Sequence, residues 1–188
     1  MQDKFLIQKQ KQLSKRDKSN IGEWDKKIIV LCDKINKKKN YYTTSSCSGR
    51  IVLLKYSDKK LKDAFLFRTH DKIGFKQLKD ALSGININGL VEFQQTSCIL
   101  HVACRTINDA LNLIKLAKEA GWKRSGVMAG GDRFMVELHS TEQISFPVAK
   151  DGKILVDDDY IRMIVDIANS KLERVWNKIE RLKKLLNS

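Results

Sequence analysis

The chain has 188 residues, 42% apolar and 31% charged, and its 36 Lys and Arg against 22 Asp and Glu leave a formal net charge of +14. That length and composition fit one domain with a real core and exclude a wholly disordered chain. The longest charge-free run, 93–104, falls well short of the roughly 20 residues of a membrane span, and MQDKFLIQKQ at the start holds no signal-peptide core, so the expectation is a soluble cytoplasmic protein with no membrane partner.

Residues 5–18 have helical periodicity with a thin apolar face. Ile21, Trp24, Ile28, Leu31 and Ile35 follow a 3-4-3-4 spacing, one apolar stripe of a helix that Asn20 suits as N-cap. The β-formers of 41–56 predict two strands joined by the polar turn Ser45-Ser46-Cys47-Ser48-Gly49-Arg50. A strand at 63–69, a helix at 74–83, and strands at 90–95 and 98–105 follow. The spacing of Ile107, Leu111, Ile114 and Ala117 predicts the inner side of a helix over 106–120, stopped by Gly121. Strands at 124–129, 134–139 and 144–149 come next, with a turn at 150–153. Ile161, Ile164, Ala168, Leu172, Val175, Ile179, Leu182 and Leu186 then form one stripe, which predicts an unbroken C-terminal helix over 158–187. Acids open it and lysines close it, as the helix dipole favours. Lys171, Arg174, Lys178 and Arg181 are assigned to its opposite face. The order of elements predicts an α+β fold: one domain, 1–188, with a mixed β-sheet flanked by helices, N-terminal helices in 1–40, and no regular βαβ alternation.

The charge is uneven. Residues 1–40 hold 12 basic and 5 acidic side chains, 171–188 hold 6 and 2, and 41–170 hold 18 and 15. Such basic ends predict an anionic partner, nucleic acid first among them; merely solvated Lys-rich helices account for the same numbers. The cysteines at 32, 47, 98 and 104 show no C-x-x-C spacing, and no metal is expected.

No G-x-G-x-x-G follows a strand, so a Rossmann nucleotide site is not written here. The Ser45–Arg50 stretch combines small hydroxyls, a glycine and an arginine, which suits a bound phosphate or carboxylate. A tight polar hairpin whose serines cap their own backbone has the same composition. Residues 124–133 read as a glycine-flanked loop near a ligand, or as a bulged hairpin. Strand alternation puts His101, Ala103 and Arg105 on one face. Trp24, Trp122 and Trp176 lie on or beside apolar helix faces and read as core.

Together these pieces resemble a known family. Thr43-Thr44-Ser45-Ser46-Cys47-Ser48-Gly49-Arg50-Ile51, Thr69-His70, Leu100-His101-Val102 with Cys104-Arg105, Gly121-Trp122-Lys123-Arg124-Ser125-Gly126-Val127 and Pro147 are similar, in order and spacing, to the tRNA wybutosine-synthesising protein 3 family. The resemblance runs from about residue 14 into the C-terminal helix. It implies a non-Rossmann, S-adenosylmethionine-dependent N-methyltransferase that modifies N4 of a wyosine-type guanosine beside the anticodon of phenylalanine tRNA. Two positions depart from the family pattern: His139 stands where Arg is usual, and Ser145 where an acid is common.

Methyl transfer to a ring nitrogen requires two positioned ligands and, where the nitrogen bears a proton, a base. Ser45, Ser46, Ser48, Gly49 and Arg50, with Ser125 and Gly126, are therefore expected to bind the cofactor. His70, His101 and Asp132 are the candidates for catalysis. Arg105, Lys123, Arg124 and Arg133, with Lys171, Arg174, Lys178 and Arg181, are expected to contact RNA. Two other readings stay open at this point: a non-catalytic tRNA-binding module of the same pathway, and a cysteine enzyme built on Cys47.

Overall fold

The computed structural model describes residues 3–14, 25–57 and 64–186. Asn20, Ile21, Trp24 and Asp63, and the stretches 15–18 and 187 of the two expected terminal helices, lie outside the described residues. The elements are α1 (Lys4–Leu13), α2 (Ile29–Lys37), β1 (Tyr41–Cys47), β2 (Arg50–Lys55), β3 (Phe65–Thr69), α3 (Phe75–Ser83), β4 (Leu90–Thr96), β5 (Ile99–Cys104), α4 (Ile107–Glu119), β6 (Gly126–Ala129), β7 (Phe134–His139), β8 (Ile144–Lys150), β9 (Lys153–Ile154) and α5 (Asp158–Leu185).

The chain gathers into two compact units. The first takes Met1–Ser48, Cys98–Thr141 and Val175–Ser188; the second takes Gly49–Ser97 and Glu142–Arg174. Each holds one sheet, in strand order β1-β5-β7-β6 and β3-β2-β4-β8-β9 respectively. The α+β class and the long closing helix stand as expected. The single mixed sheet does not: there are two sheets, and every strand pair is antiparallel. The reason lies in two short joints. Ser48-Gly49 separates β1 from β2, and Ser97-Cys98 separates β4 from β5. The first pair reads in sequence as two strands joined by a turn, yet in both pairs the joint passes the chain from one sheet to the other. Gly49 has φ +93°, a left-handed backbone that favours glycine at the first joint.

In the first unit one sheet face is apolar. Leu100, Val102, Cys104, Val136 and Leu138 pack with Leu31 and Ile35 of α2, with Ala110, Leu113, Ile114 and Ala117 of α4, and with Val175, Ile179 and Leu182 of α5. Ile107 and Leu111, assigned by spacing to the inner side of α4, are exposed. Alanines at 110 and 117 let the helix approach the sheet closely, so the buried line runs through them instead. A capping box between Thr106 and Asp109 opens this helix. Gly121, at φ +96°, ends it, and an added Cβ there would meet the Lys178 side chain at 3.2 Å. Trp122 is fully buried and donates its indole N–H to the Lys178 carbonyl at 3.1 Å, a core role as expected.

In the second unit Ile51, Leu53, Val91, Phe93 and Val148 are buried, and Phe93 stacks on Phe146, whose ring meets Tyr160 of α5 edge-on. All eight residues of the predicted C-terminal stripe are buried. Lys171, Arg174, Lys178 and Arg181 each precede a buried stripe residue by one position. One residue is about 100° of helical turn, so they flank the buried face rather than oppose it. No helix among the described residues is long and apolar enough to cross a membrane.

Candidate active site

The second face of the first-unit sheet is organised in cross-strand rows. Tyr42, Ala103 and Met135 form an apolar row, covered by Phe5 of α1. The next row is polar: Ser45 on β1, His101 on β5 and Glu137 on β7. Cys47, Ile99 and His139 follow. A bulge makes the polar row possible. Thr43 pairs with Val102 and Ser45 with His101, so Thr44 is the extra residue. Without it, period-2 alternation would turn Ser45 toward the apolar core face; the bulge re-aims it beside His101.

Within the row the Ser45 hydroxyl lies 2.7 Å from His101 Nδ1, and Glu137 Oε2 lies 3.0 Å from Nε2. An ionised carboxylate only accepts, so Nε2–H donates to Glu137, and in the neutral imidazole Nδ1 accepts from Ser45 O–H. The His101 and Glu137 side chains are 25% and 30% exposed, shielded yet reachable. Gly126 pairs with Glu137 at the far end of the row, and an added Cβ there would meet nothing within 4 Å. The row therefore opens onto free space. Chemically it is a serine–imidazole–carboxylate relay able to take up and hold one proton.

His139, two residues along from Glu137, is shifted below the usual imidazole range. Burial is the main cause; Arg124 and His101 push the same way and Glu137 opposes them.

Asp132 is placed differently from the expectation of a base. It is exposed, forms an ion pair with Lys4 of α1, and that lysine holds its carboxyl below the ordinary range. Arg105 pairs with Asp3 at 2.8 Å and lies over the Phe5 ring, and Arg133 donates to Gln8 at 2.9 Å. All three thus hold α1 against the sheet.

The expected serine cradle is divided. Ser46 pairs with Leu100 and so belongs to the opposite sheet face from Ser45. Ser48 is fully buried, and both its backbone N–H and its hydroxyl donate to the Asp25 carboxylate, at 2.6 and 2.7 Å. The chain's own acid fills the seat that composition assigned to a ligand anion. The Ser125 hydroxyl donates to the Trp122 carbonyl at 2.6 Å and accepts from the His139 N–H, bracing the turn from α4 into β6. Cys47 ends β1, half-buried.

Gly49, Arg50 and His70 belong to the second unit. His70 Nδ1–H donates to the Gly49 carbonyl at 2.9 Å, which leaves Nε2 the acceptor nitrogen of the neutral ring. The Arg50 guanidinium lies 5.0 Å from the Phe65 ring centroid, and its Nε is buried with no hydrogen-bond partner among the described residues. A desolvated guanidinium N–H without an acceptor fits a carboxylate or phosphate.

Of the cations assigned to RNA, Lys171 and Arg174 both reach Glu142, at 3.6 and 3.2 Å, and Lys178 Nζ lies 3.4 Å from the Ser140 hydroxyl. Lys123, Arg124 and Arg181 are exposed and carry no side-chain ion pair among the described residues. Sequence reasoning missed Glu137 and Asp25. The first had a signal: an acid at the polar phase of the alternating Phe134–His139 strand, in step with His139.

The family model described as methyltransferase TYW3 matches residues 2–188. A Thermococcus sibiricus protein named tRNA(Phe) 7-((3-amino-3-carboxypropyl)-4-demethylwyosine(37)-N(4))-methyltransferase is 37% identical over 182 residues, covering 95% of this chain and 92% of its own length. The mouse tRNA wybutosine-synthesizing protein 3 homolog is 32% identical, over 92% of this chain and 69% of its own. The solved structure of the PH1069 protein from Pyrococcus horikoshii OT3 superposes with a TM-score of 0.87 at 33% identity, covering 99% of this chain and 95% of that one. With its length matched almost from end to end and its fold shared, the chain belongs to the methyltransferase TYW3 family.

Proposed function

We propose that this chain methylates N4 of a wyosine-type guanosine at position 37 of phenylalanine tRNA, with S-adenosylmethionine as the donor. The substrate is the one named for its relatives, 7-(3-amino-3-carboxypropyl)-4-demethylwyosine. When bound, S-adenosylmethionine supplies a methyl group activated as a sulfonium. A ring nitrogen that gains this methyl and remains neutral must lose its proton. The Ser45–His101–Glu137 relay is the observation that carries the reading. The substrate N–H proton passes to Ser45 Oγ as the Ser45 hydroxyl proton passes to His101 Nδ1. Glu137 faces the imidazolium that results and stabilises it. The space beside Gly126 admits the base to this row.

Arg50 is the residue proposed to hold the donor's carboxylate, on the strength of its buried, acceptor-less Nε. Lys123, Arg124 and Arg181 are proposed as phosphate contacts, because they form no side-chain ion pair among the described residues. A non-catalytic tRNA-binding module has no need of a closed proton relay.

The test is methyl transfer to tRNA from cells lacking this protein, read by nucleoside mass analysis. The expected product is the position-37 nucleoside heavier by one methyl. An unchanged nucleoside, with donor and tRNA both bound, would overturn the reading.

A further inference from the structure

Averaged over 41–170 the chain is nearly neutral, but residues 50–79 hold nine basic and three acidic side chains. Within it, β2 and β3 form one edge of the five-stranded sheet. One face of that sheet is apolar, through Ile51, Leu53, Val91 and Phe93. The other carries Arg50, Arg68, Gln94, Thr96 and Ser145, half-buried or exposed, around the buried Val52, with Glu92 accepting from Gln94 and Ser145.

A bulge again re-aims one side chain. Leu53 pairs with Phe67 and Leu54 with Phe65, so Leu66 is the extra residue on β3. Unbulged alternation would put Phe65 on the same face as Phe67; the bulge turns it to the face of Arg68. There the Phe65 ring is 43% exposed on an edge strand. Arg50 lies 5.0 Å from its centroid and Arg68 5.5 Å. Two guanidinium groups share one ring, and Arg68 has no acidic partner among the described residues. Packing alone gives no reason to gather an exposed aromatic ring and two like charges on a polar sheet face. An anion with a flat, stackable surface does.

We infer that the Arg50–Phe65–Arg68 ladder is a docking platform for an unpaired RNA nucleotide, whose base stacks on the ladder and whose phosphate pairs with Arg68. Aromatic rings and guanidinium planes are the stacking surfaces of single-stranded RNA recognition. The inference rests on the tRNA reading above and deepens it by naming a surface.

The experiment measures phenylalanine tRNA affinity against salt for the wild-type chain and for Phe65→Leu, Arg68→Gln and Arg68→Lys, with S-adenosylmethionine binding measured in parallel. Phe65→Leu should weaken tRNA binding about five- to 150-fold, the range of one lost base stack. Arg68→Gln should also flatten the log–log salt slope by about 0.7–0.9. Arg68→Lys should keep the slope and lose affinity, because it keeps charge without the plane. Donor binding should be unchanged in both Arg68 variants. If Phe65→Leu fails to fold, the two Arg68 variants at an exposed position carry the test alone. A wild-type chain that binds no tRNA overturns the tRNA reading itself. Wild-type binding that the Arg68 variants leave untouched overturns only the platform, as does duplex RNA competing as well as a single strand of the anticodon-loop sequence.

Discussion

The polar faces of the two sheets are built by the same means and end in opposite electrostatic states. On the four-stranded sheet, the bulge at Thr44 brings Ser45 to His101 and Glu137, and the row closes on itself: hydroxyl, imidazole and carboxylate satisfy one another. On the five-stranded sheet, the bulge at Leu66 brings Phe65 to Arg50 and Arg68, and these two cations pair with no acid among the described residues. A satisfied network holds a geometry and can move a proton through it. An unsatisfied cationic surface calls for an outside anion. We read the difference as a proposed division of work: proton transfer on the first face, and the holding of ligand anions on the second.

The sharpest way to break this division is to cut the relay. His101→Asn should lower the methyl-transfer rate about 10²- to 10⁴-fold, the usual share of general base catalysis. Glu137→Gln, which keeps an acceptor but removes the charge, should fall between that variant and wild type. Neither should change tRNA affinity or its salt slope. A rate unchanged in His101→Asn, measured in single turnovers, would remove the relay from the mechanism.

Helix α1 is the next lever, because it covers the apolar row beside the relay with one buried residue, Phe5. Phe5→Ala should remove about 3 kcal/mol of docking, raising amide exchange in α1 by about a hundredfold while the sheet keeps its protection. Exchange that rises equally throughout the unit would make α1 part of the core rather than a docked cover.

Arg50→Ala should cost about 1.5–3 kcal/mol of donor binding, roughly ten- to a hundredfold in Kd, the value of one hydrogen bond to a charged group. Isothermal titration with S-adenosylmethionine reads it directly. If donor affinity holds and tRNA affinity falls, Arg50 belongs wholly to the cationic ladder.

The comparison also explains what the sequence did and did not make legible. The span of α5 and the bounds of β7 follow from periodicity, because one buried stripe or one alternating run decides them. Partners across a sheet do not. His101 is in the sequence, but Glu137 joins it only through the β5–β7 register. Both bulges shift a period-2 pattern by one residue, so Ser45 reads as a turn residue, and nothing in the strand reading of 63–69 brings Phe65 to Arg68. The anion cradle failed for a similar reason: nothing near Ser48 in sequence announces that Asp25 will fill it. The two-residue joints hid the second sheet, since a short polar link between β-formers is also the mark of a hairpin.

The smallest expected effect concerns pH, and it separates a face that titrates from one that does not. Burial holds His139 below the ordinary imidazole value; Arg124 and His101 add to this and Glu137 opposes it. The unfolded chain therefore takes up a proton at a higher pH than the folded one, so stability rises with pH between the two values. The stabilisation is fully present above about pH 6.5, where both states are neutral. It is lost as pH falls from there through the folded value. Thermal melts from pH 7.5 to 5.0 should show a decline that His139→Gln reduces. Glu137→Gln should extend that decline to lower pH, because it removes the one charge that favours the protonated ring. The guanidinium groups of Arg50 and Arg68 stay charged throughout this range, so the ladder's contribution to tRNA affinity should not follow the same curve. A decline that His139→Gln leaves intact would assign the acid sensitivity to other groups, and the relay face would lose its titrating neighbour.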